Sequence, residues 1–452
     1  MHGSLGAYIS VPFCKAKCSY CNFASGVFGR GASGIDRMER YVERVCAEIH
    51  SSRARAAQMR AEMPEQVDTI YFGGGTPSLL SAGQMQRLFA ALRCEFDVSA
   101  DAEITIECAP GQVDGETLDA LLRLGMNRVS FGVQSFVDAE ARAVGRQHTR
   151  ETCLAEIARM RAAGVEQINV DLIVGLPHQT AASWRESVDV ALASAVPHLS
   201  VYMLEVDEES RLGREMLAHG ARYGAASVPS EDETAEWYAA ACERLEADGV
   251  KQYEISNFAR ARNAPGSDTA NCDTANCGAL DFRSRHNVKY WRREPYVGFG
   301  LDAHSMLRTY EEDGRMEDKG AVRWANASDL ETYLRTDNDP RSPNRAGDGP
   351  TQFSLNADFS ELRTAPGPLD IEWVGPERGF EEAVFLGLRM NQGIDLEAMR
   401  AEFGERLSQA AVAALGEVVE AGLVEREDNW ARLTARGRMV SNEVFSRLLV
   451  AD

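Results

Sequence analysis

Residues 8–21, Tyr8-Ile9-Ser10-Val11-Pro12-Phe13-Cys14-Lys15-Ala16-Lys17-Cys18-Ser19-Tyr20-Cys21, set a short apolar strand directly against three closely spaced cysteines. Ala7–Val11 reads as that strand, rich in residues that suit a pleated, buried surface and stopped by Pro12. The cysteines follow in the pattern Cys14-x3-Cys18-x2-Cys21. Residues 1–6 hold no basic patch ahead of an apolar run, so no signal peptide is expected. In a cytosolic chain, clustered cysteines point to a metal or redox site and not to disulfides.

Zinc would want four protein ligands, or three plus water in a set that includes His or Asp, and no fourth ligand lies close in sequence. Three thiolates instead suit a [4Fe-4S] cube with one iron left open. An open iron can chelate the amino and carboxylate groups of S-adenosylmethionine (SAM). Electron transfer from the cluster then breaks a sulfonium S–C bond and releases a 5′-deoxyadenosyl radical, which needs a potential near the low end of the roughly −700 to +450 mV range of such clusters. A fortuitous trio of thiols is the bland alternative, and the spacing and position argue against it.

Outward from this stretch, short apolar runs alternate with amphipathic ones. Strands are expected at Val67–Phe72, Glu103–Glu107, Asn127–Gly132, Gln167–Val174 and His198–Leu204. Helices are expected at Arg37–Met63, Ala82–Arg93, Glu116–Arg123, Thr152–Ala163, Ala181–Ala195 and Asp232–Asp248. Six β-then-α units in series imply an α/β fold, a partial (β/α)6 barrel with its chemistry beyond the carboxyl ends of the strands. The polar features fall there. Gly73-Gly74-Gly75-Thr76-Pro77 follows the second strand, Glu107 ends the third, Gln134 follows the fourth, and Asp171 lies in the fifth. Each alone could be a tight turn or a satisfied polar group, but glycines let a backbone approach a ligand closely, and its exposed amides and carbonyls can hold the SAM amino group.

The sequence divides into residues 1–260, a segment 261–369, and residues 370–452. The middle segment carries two stretches read as surface loops: 260–284, with DTANC repeated at Asp268–Cys272 and Asp273–Cys277, and 311–369, rich in Asp, Arg, Asn, Pro and Gly. Cys272 and Cys277 could hold a metal, but a tandem repeat reads better as a solvated loop. In the last segment, helices at Glu377–Arg389, Leu396–Phe403 and Arg406–Ala421 precede a hairpin over Gly422–Glu427 and Ala431–Leu433 and a final helix Thr434–Leu449, a helical, winged-helix-like domain. The remaining cysteines, Cys46, Cys94, Cys108, Cys153 and Cys242, read as small buried hydrophobes.

The 452-residue chain carries 48 basic against 69 acidic residues, a net charge of −21, which disfavours phosphate backbones as partners. Its composition is that of a soluble globular protein, with no apolar run approaching the ~18 residues of a membrane span. A cytoplasmic location and no nucleic-acid partner are expected.

The cysteine spacing resembles the hallmark of the radical SAM superfamily. Together with Tyr8–Cys14, GGGTPS, Ile106-Glu107, Arg128–Phe136 and Asn169–Pro177, it is similar to the oxygen-independent coproporphyrinogen III oxidase group over nearly the whole chain apart from the two loops. That resemblance implies that Cys14, Cys18 and Cys21 hold the cluster, and that Tyr8, Gly74, Gly75, Thr76, Glu107, Gln134, Arg146 and Asp171 contact SAM. Three features side with the heme chaperone branch, HemW, over the oxidase. Only thirteen residues precede Cys14, the position two after the third cysteine is Phe23 where the oxidase has another cysteine, and His286-Asn287-x-x-Tyr290-Trp291 matches the HNxxYW motif associated with heme. By resemblance, His286, Asn287, Tyr290 and Trp291 would bind heme, with a neutral imidazole as a natural axial ligand and aromatic rings packing on the porphyrin. Taken alone, His286 would more often be a hydrogen-bonded structural histidine. Tyr296–Ser305 also resembles the family, but Leu301-Asp302 stands where Pro-Gly is usual, which puts that turn in question. His304 reads equally as a heme neighbour or a core residue.

The leading expectation is a heme chaperone that passes heme to apo-hemoproteins, with an electron donor serving its cluster. The alternative is an oxidase of porphyrin biosynthesis that decarboxylates the propionates of coproporphyrinogen III. A radical SAM modifier of nucleic acid, suggested by the winged-helix-like tail, is opposed by the acidic balance.

Overall fold

The computed structural model describes residues 3–28, 32–261, 282–310, 316–335 and 369–448. Twelve strands build one sheet. They are β1 Leu5–Val11, β2 Gln66–Gly74, β3 Asp97–Cys108, β4 Arg128–Gln134, β5 Gln167–Val174, β6 His198–Met203, β7 Val250–Glu254, β8 Asn257–Arg260, β9 Tyr296–Phe299, β10 His304–Tyr310, β11 Met316–Asn326 and β12 Leu369–Val374. Their spatial order is β12-β11-β10-β9-β1-β2-β3-β4-β5-β6-β8-β7. The six strands β1 to β6 run parallel in sequence order, each followed by helix, as the β-then-α reading requires. This is the partial barrel, and it does not close.

Sequence reading missed how the barrel is extended. β9 joins the outer side of β1 in parallel, with Tyr8 opposite Gly298, and β10, β11 and β12 continue antiparallel. The stretch 311–369, expected to be surface loop, therefore supplies β11, the helix Leu330–Leu334 and the start of β12. Within it Ala321, Val322 and Trp324 are buried, and β11 is paired on both sides, with β10 and with β12. Residues 262–281, with Cys272 and Cys277, lie outside the described residues.

The parallel strands alternate strictly. Ile9, Ile70, Phe72, Ile104, Ile106, Val129, Phe131, Val170, Leu199 and Val201 point outward into one core with the surrounding helices. Their neighbours, Tyr8, Thr69, Tyr71, Glu103, Glu107, Ser130, Asn169, Asp171, His198 and Ser200, face a polar lumen.

The expected helices are present, the first as Ala32–Gln58, and short ones at Asp138–Ala143, Arg211–Leu217 and Arg285–Trp291 were not foreseen. The C-terminal segment has its own core around Phe380, Leu388, Phe403, Leu415 and Val418. A third short strand, Ile394–Asp395, joins the hairpin Val424–Glu427/Trp430–Leu433, and the final helix is broken at Val440 into Ala435–Met439 and Ser441–Leu448. Of the five scattered cysteines, Cys108 and Cys153 are buried and Cys46 and Cys242 partly so; Cys94 is exposed, a correction to the core reading.

Candidate functional site

Cys14, Cys18 and Cys21 are half-buried free thiols on the loop that leaves β1. Backbone bonds fix that loop from three sides. Gly26 N–H donates to Pro12 O at 2.9 Å, Ser19 N–H to Val144 O at 3.1 Å, and Leu212 N–H to Ser19 O at 2.8 Å. The Lys17 ammonium, within the loop, donates to the Phe23 and Ser25 carbonyls at 3.1 and 3.0 Å. Among the described residues, the one three-donor group with all donor atoms within 4.8 Å of one another is His50, Cys94 and Glu95. The triplet is thus spread more widely than a single ion needs, which suits a four-iron cube.

The glycine loop docks on the cysteine loop. Gly75 N–H donates to Val11 O and Thr76 N–H to Phe13 O, both at 2.8 Å, and the Thr76 hydroxyl lies 3.9 Å from Cys14 Sγ. Gly74 takes a positive φ of 96°, and a Cβ on Gly75 would lie 2.7 Å from Val11 O and 2.8 Å from Phe13 O. Only glycine fits.

Tyr8, Glu107 and Asp171 project from the alternate strands β1, β3 and β5 into the lumen beneath these loops. The Tyr71 hydroxyl donates to Glu107 Oε1 at 2.9 Å, while Ser130 and Asn169 donate to Asp171 at 3.2 and 2.7 Å. Gln134 holds a strained φ of 68° with a buried Oε1 that lacks a partner, and the buried Arg146 Nε lacks one too. Buried polar atoms without a partner call for one, and a polar ligand seated here would supply it. The structure therefore brings all eight expected SAM residues to one end of the barrel. Tyr71 and Asn169 were missed, although their alternation with Ile70, Phe72 and Val170 in sequence was the signal for a polar lumen.

Burial, reinforced by the nearby Asp171 charge, pushes Glu107 up to about 7 from its ordinary 4.5. The folded chain holds that proton more tightly than the unfolded one, so this group's contribution to stability falls as pH rises from 4.5 to about 7. A cationic ligand needs the carboxylate. Affinity for SAM should thus rise about tenfold between pH 6 and 8, as the charged fraction climbs from about a tenth to about nine tenths. Calorimetric titration of the cluster-loaded protein measures this, and Glu107→Gln should flatten the profile.

The helix Arg285–Trp291 carries the HNxxYW motif, capped by the Ser284 hydroxyl. His286 is 1% exposed, deep in the lumen, with one ring nitrogen 2.8 Å from the Thr69 hydroxyl and the other 2.8 Å from the Tyr290 hydroxyl. Burial, with the Lys289 ammonium alongside, pushes the ring down to about 3, so it is neutral. A neutral imidazole has one lone-pair nitrogen, and here it is already occupied. Asn287 sits half-buried on the helix, and Trp291 turns toward the C-terminal domain, where the Arg389 guanidinium stacks 4.5 Å from its ring centre. Of the four motif residues, Trp291 lines a cleft of about 300 Å³ against the C-terminal segment, while Tyr290 lines a separate one beside the glycine loop.

That cleft, of about 280 Å³, is lined by Tyr8, Gly74, Phe23, Tyr290, Tyr296 and His304, among others. Its outer wall is the turn from β9 to β10. The substitution of Leu301-Asp302 for Pro-Gly does not destroy this turn: Ala303 N–H donates to Gly300 O at 3.3 Å, and Asp302 adopts the left-handed φ of 56° that glycine usually supplies. Buried Glu48 braces it, accepting from Gly300 N–H at 3.0 Å and from Asn326 at 2.7 Å.

The Radical SAM superfamily profile matches residues 8–191, and that of the HemN C-terminal domain matches residues 376–440. The heme chaperone HemW of Synechocystis sp. is 34% identical over 73% of this chain and 71% of its own length. HemW of Escherichia coli is 30% identical over 80% and 84% respectively, and HemW of Bacillus subtilis 29% identical over 98% of both. Among solved structures, coproporphyrinogen III oxidase (HemN) from Escherichia coli, a radical SAM enzyme, superposes with a TM-score of 0.71 at 21% identity, covering 99% of this chain and 91% of that one. That likeness establishes a shared fold.

Proposed function

This chain belongs to the HemW family of the radical SAM superfamily, within the oxygen-independent coproporphyrinogen III oxidase-like group, and from that premise we propose that it binds heme and delivers it to apo-hemoproteins. The observation that carries the reading is the aromatic cleft that opens beside the glycine loop and the cysteine loop. Its Tyr8, Tyr290, Tyr296 and Phe23 rings offer flat apolar surface to a porphyrin.

The residues present fit a cluster and SAM: three half-buried thiols on a pinned loop, a glycine loop that tolerates no side chain, and orphaned polar atoms on Gln134 and Arg146. Cys14, Cys18 and Cys21 would hold the cluster; Tyr8, Gly74, Gly75, Thr76, Glu107, Gln134, Arg146 and Asp171 would hold SAM. When bound, the pair supplies one-electron reduction of a sulfonium, which calls for an external electron donor. The lumen carboxylates balance the ligand's positive charge, and the loop amides and carbonyls orient its amino acid end.

We place this activity in the cytoplasm. The eight described cysteines are all free thiols, which suits a reducing compartment. Among the described residues no helix is long and apolar enough to cross a membrane.

The test uses protein reconstituted with iron and sulfide without oxygen. Heme uptake at micromolar concentration, followed by transfer to an apo-hemoprotein such as apomyoglobin, is the expected result. Conversion of coproporphyrinogen III to protoporphyrinogen IX without heme retention would instead make the chain an oxidase.

A further inference from the structure

Two histidines stand near the cleft, and the structure treats them oppositely. His286 lies behind the cleft wall with both ring nitrogens bonded inside the protein. The bond to Tyr290 holds that tyrosine's hydroxyl inward, and its ring packs edge-on against Tyr296 at 4.6 Å. Bringing His286 to an iron would mean breaking both hydrogen bonds and moving Tyr290 out of the wall. Gly6 shows how closely the ring is seated, since a Cβ there would meet the imidazole at 3.4 Å and Lys289 at 3.0 Å.

His304 is exposed and lines the same cleft, together with Tyr296, Leu301 and Asp302. Its backbone is fixed. It opens β10, pairs with Ala325 across the sheet, and crosses so close to Gly298 that a Cβ there would sit 2.3 Å from His304 O. Among the described residues its ring makes no hydrogen bond. A rigid backbone carrying a free imidazole, set against aromatic walls, is the arrangement that an axial ligand requires.

Resting on the heme-carrier reading above, we propose that His304 is the side chain that ligates heme iron, and that His286 contributes only by holding the Tyr290 wall. Porphyrin in the cleft would then meet the Tyr8, Tyr290 and Tyr296 rings.

Cluster-loaded full-length protein is titrated with heme, and Soret absorption and electron paramagnetic resonance report affinity and ligand type. His304→Ala is expected to weaken uptake at least about tenfold and to lose the nitrogen-ligand signature, which added imidazole restores. His304→Cys should give the signature of a thiolate-bound iron, an outcome that a merely structural histidine would not produce. His286→Asn should keep the nitrogen-ligand signature, whatever it does to affinity. Native spectra and affinity in both His304 variants would overturn the assignment while leaving the carrier reading intact. Absence of heme uptake by the unaltered chain would sink both.

Discussion

Cys14→Ala is expected to give protein that stays colourless after anaerobic reconstitution, with iron falling from about four per chain to a small fraction of one. On the proposed assignment Cys14, Cys18 and Cys21 would each hold one iron of the cube, and removing one would leave two protein ligands, too few to retain the cluster. Cys108 and Cys153 cannot substitute: both are buried outside the loop, where burial pushes each thiol up to about 12 and keeps it protonated. The loss should be chemical and not a failure to fold, because the cysteine loop is pinned by backbone bonds that do not involve the sulfur. Iron and sulfide assays, with circular dichroism as the control for folding, measure it. A variant that loads iron like the native chain would contradict the ligand assignment.

Gly75→Ala should be nearly as damaging by a different route. The added methyl meets three backbone atoms, Val11 O at 2.7 Å, Phe13 O at 2.8 Å and Phe13 N at 3.0 Å, none of which can swing aside. Relief requires the loop bearing Thr76 to move off the segment that leads into Cys14, so the two cofactor loops separate. We expect a loss of about 2–3 kcal/mol in the stability of the apo chain and a drop of tenfold or more in SAM affinity after loading. Gly83 supplies the control. A Cβ there meets nothing within 4 Å, and the residue lies in the helix Ala82–Glu95, so Gly83→Ala should leave binding alone and shift stability by no more than about 1 kcal/mol in the favourable direction. Denaturant unfolding of both variants, with calorimetric titration of SAM, separates local overpacking from a general intolerance of alanine.

The contrast between His286 and His304 shows how far a motif reaches. HNxxYW is compact in sequence, yet a seven-residue helix points its side chains to three places: His286 into the lumen, Tyr290 to the cleft and Trp291 to the C-terminal domain. Spacing cannot say which of them meets a ligand. Cys94 teaches the same lesson in reverse. Its position in a helix suggested core, but the helix turns that residue to solvent beside His50 and Glu95.

What the amino-acid order by itself determined was everything governed by local period and close spacing: six parallel strands with their helices, the cysteine loop after the first strand, and a glycine or polar residue at each following strand end. Those features depend on neighbours a few residues apart, and period two or three-and-a-half survives in any tertiary context. What only the tertiary structure decided was which distant segments meet. β9 lies beside β1 although nearly three hundred residues separate them, charged β11 belongs to the sheet, and His286 is sealed while His304 is open. The reason is physical. Side-chain exposure is set by long-range packing that fills a lumen or leaves a cleft, and no local pattern encodes which of two histidines that packing will cover.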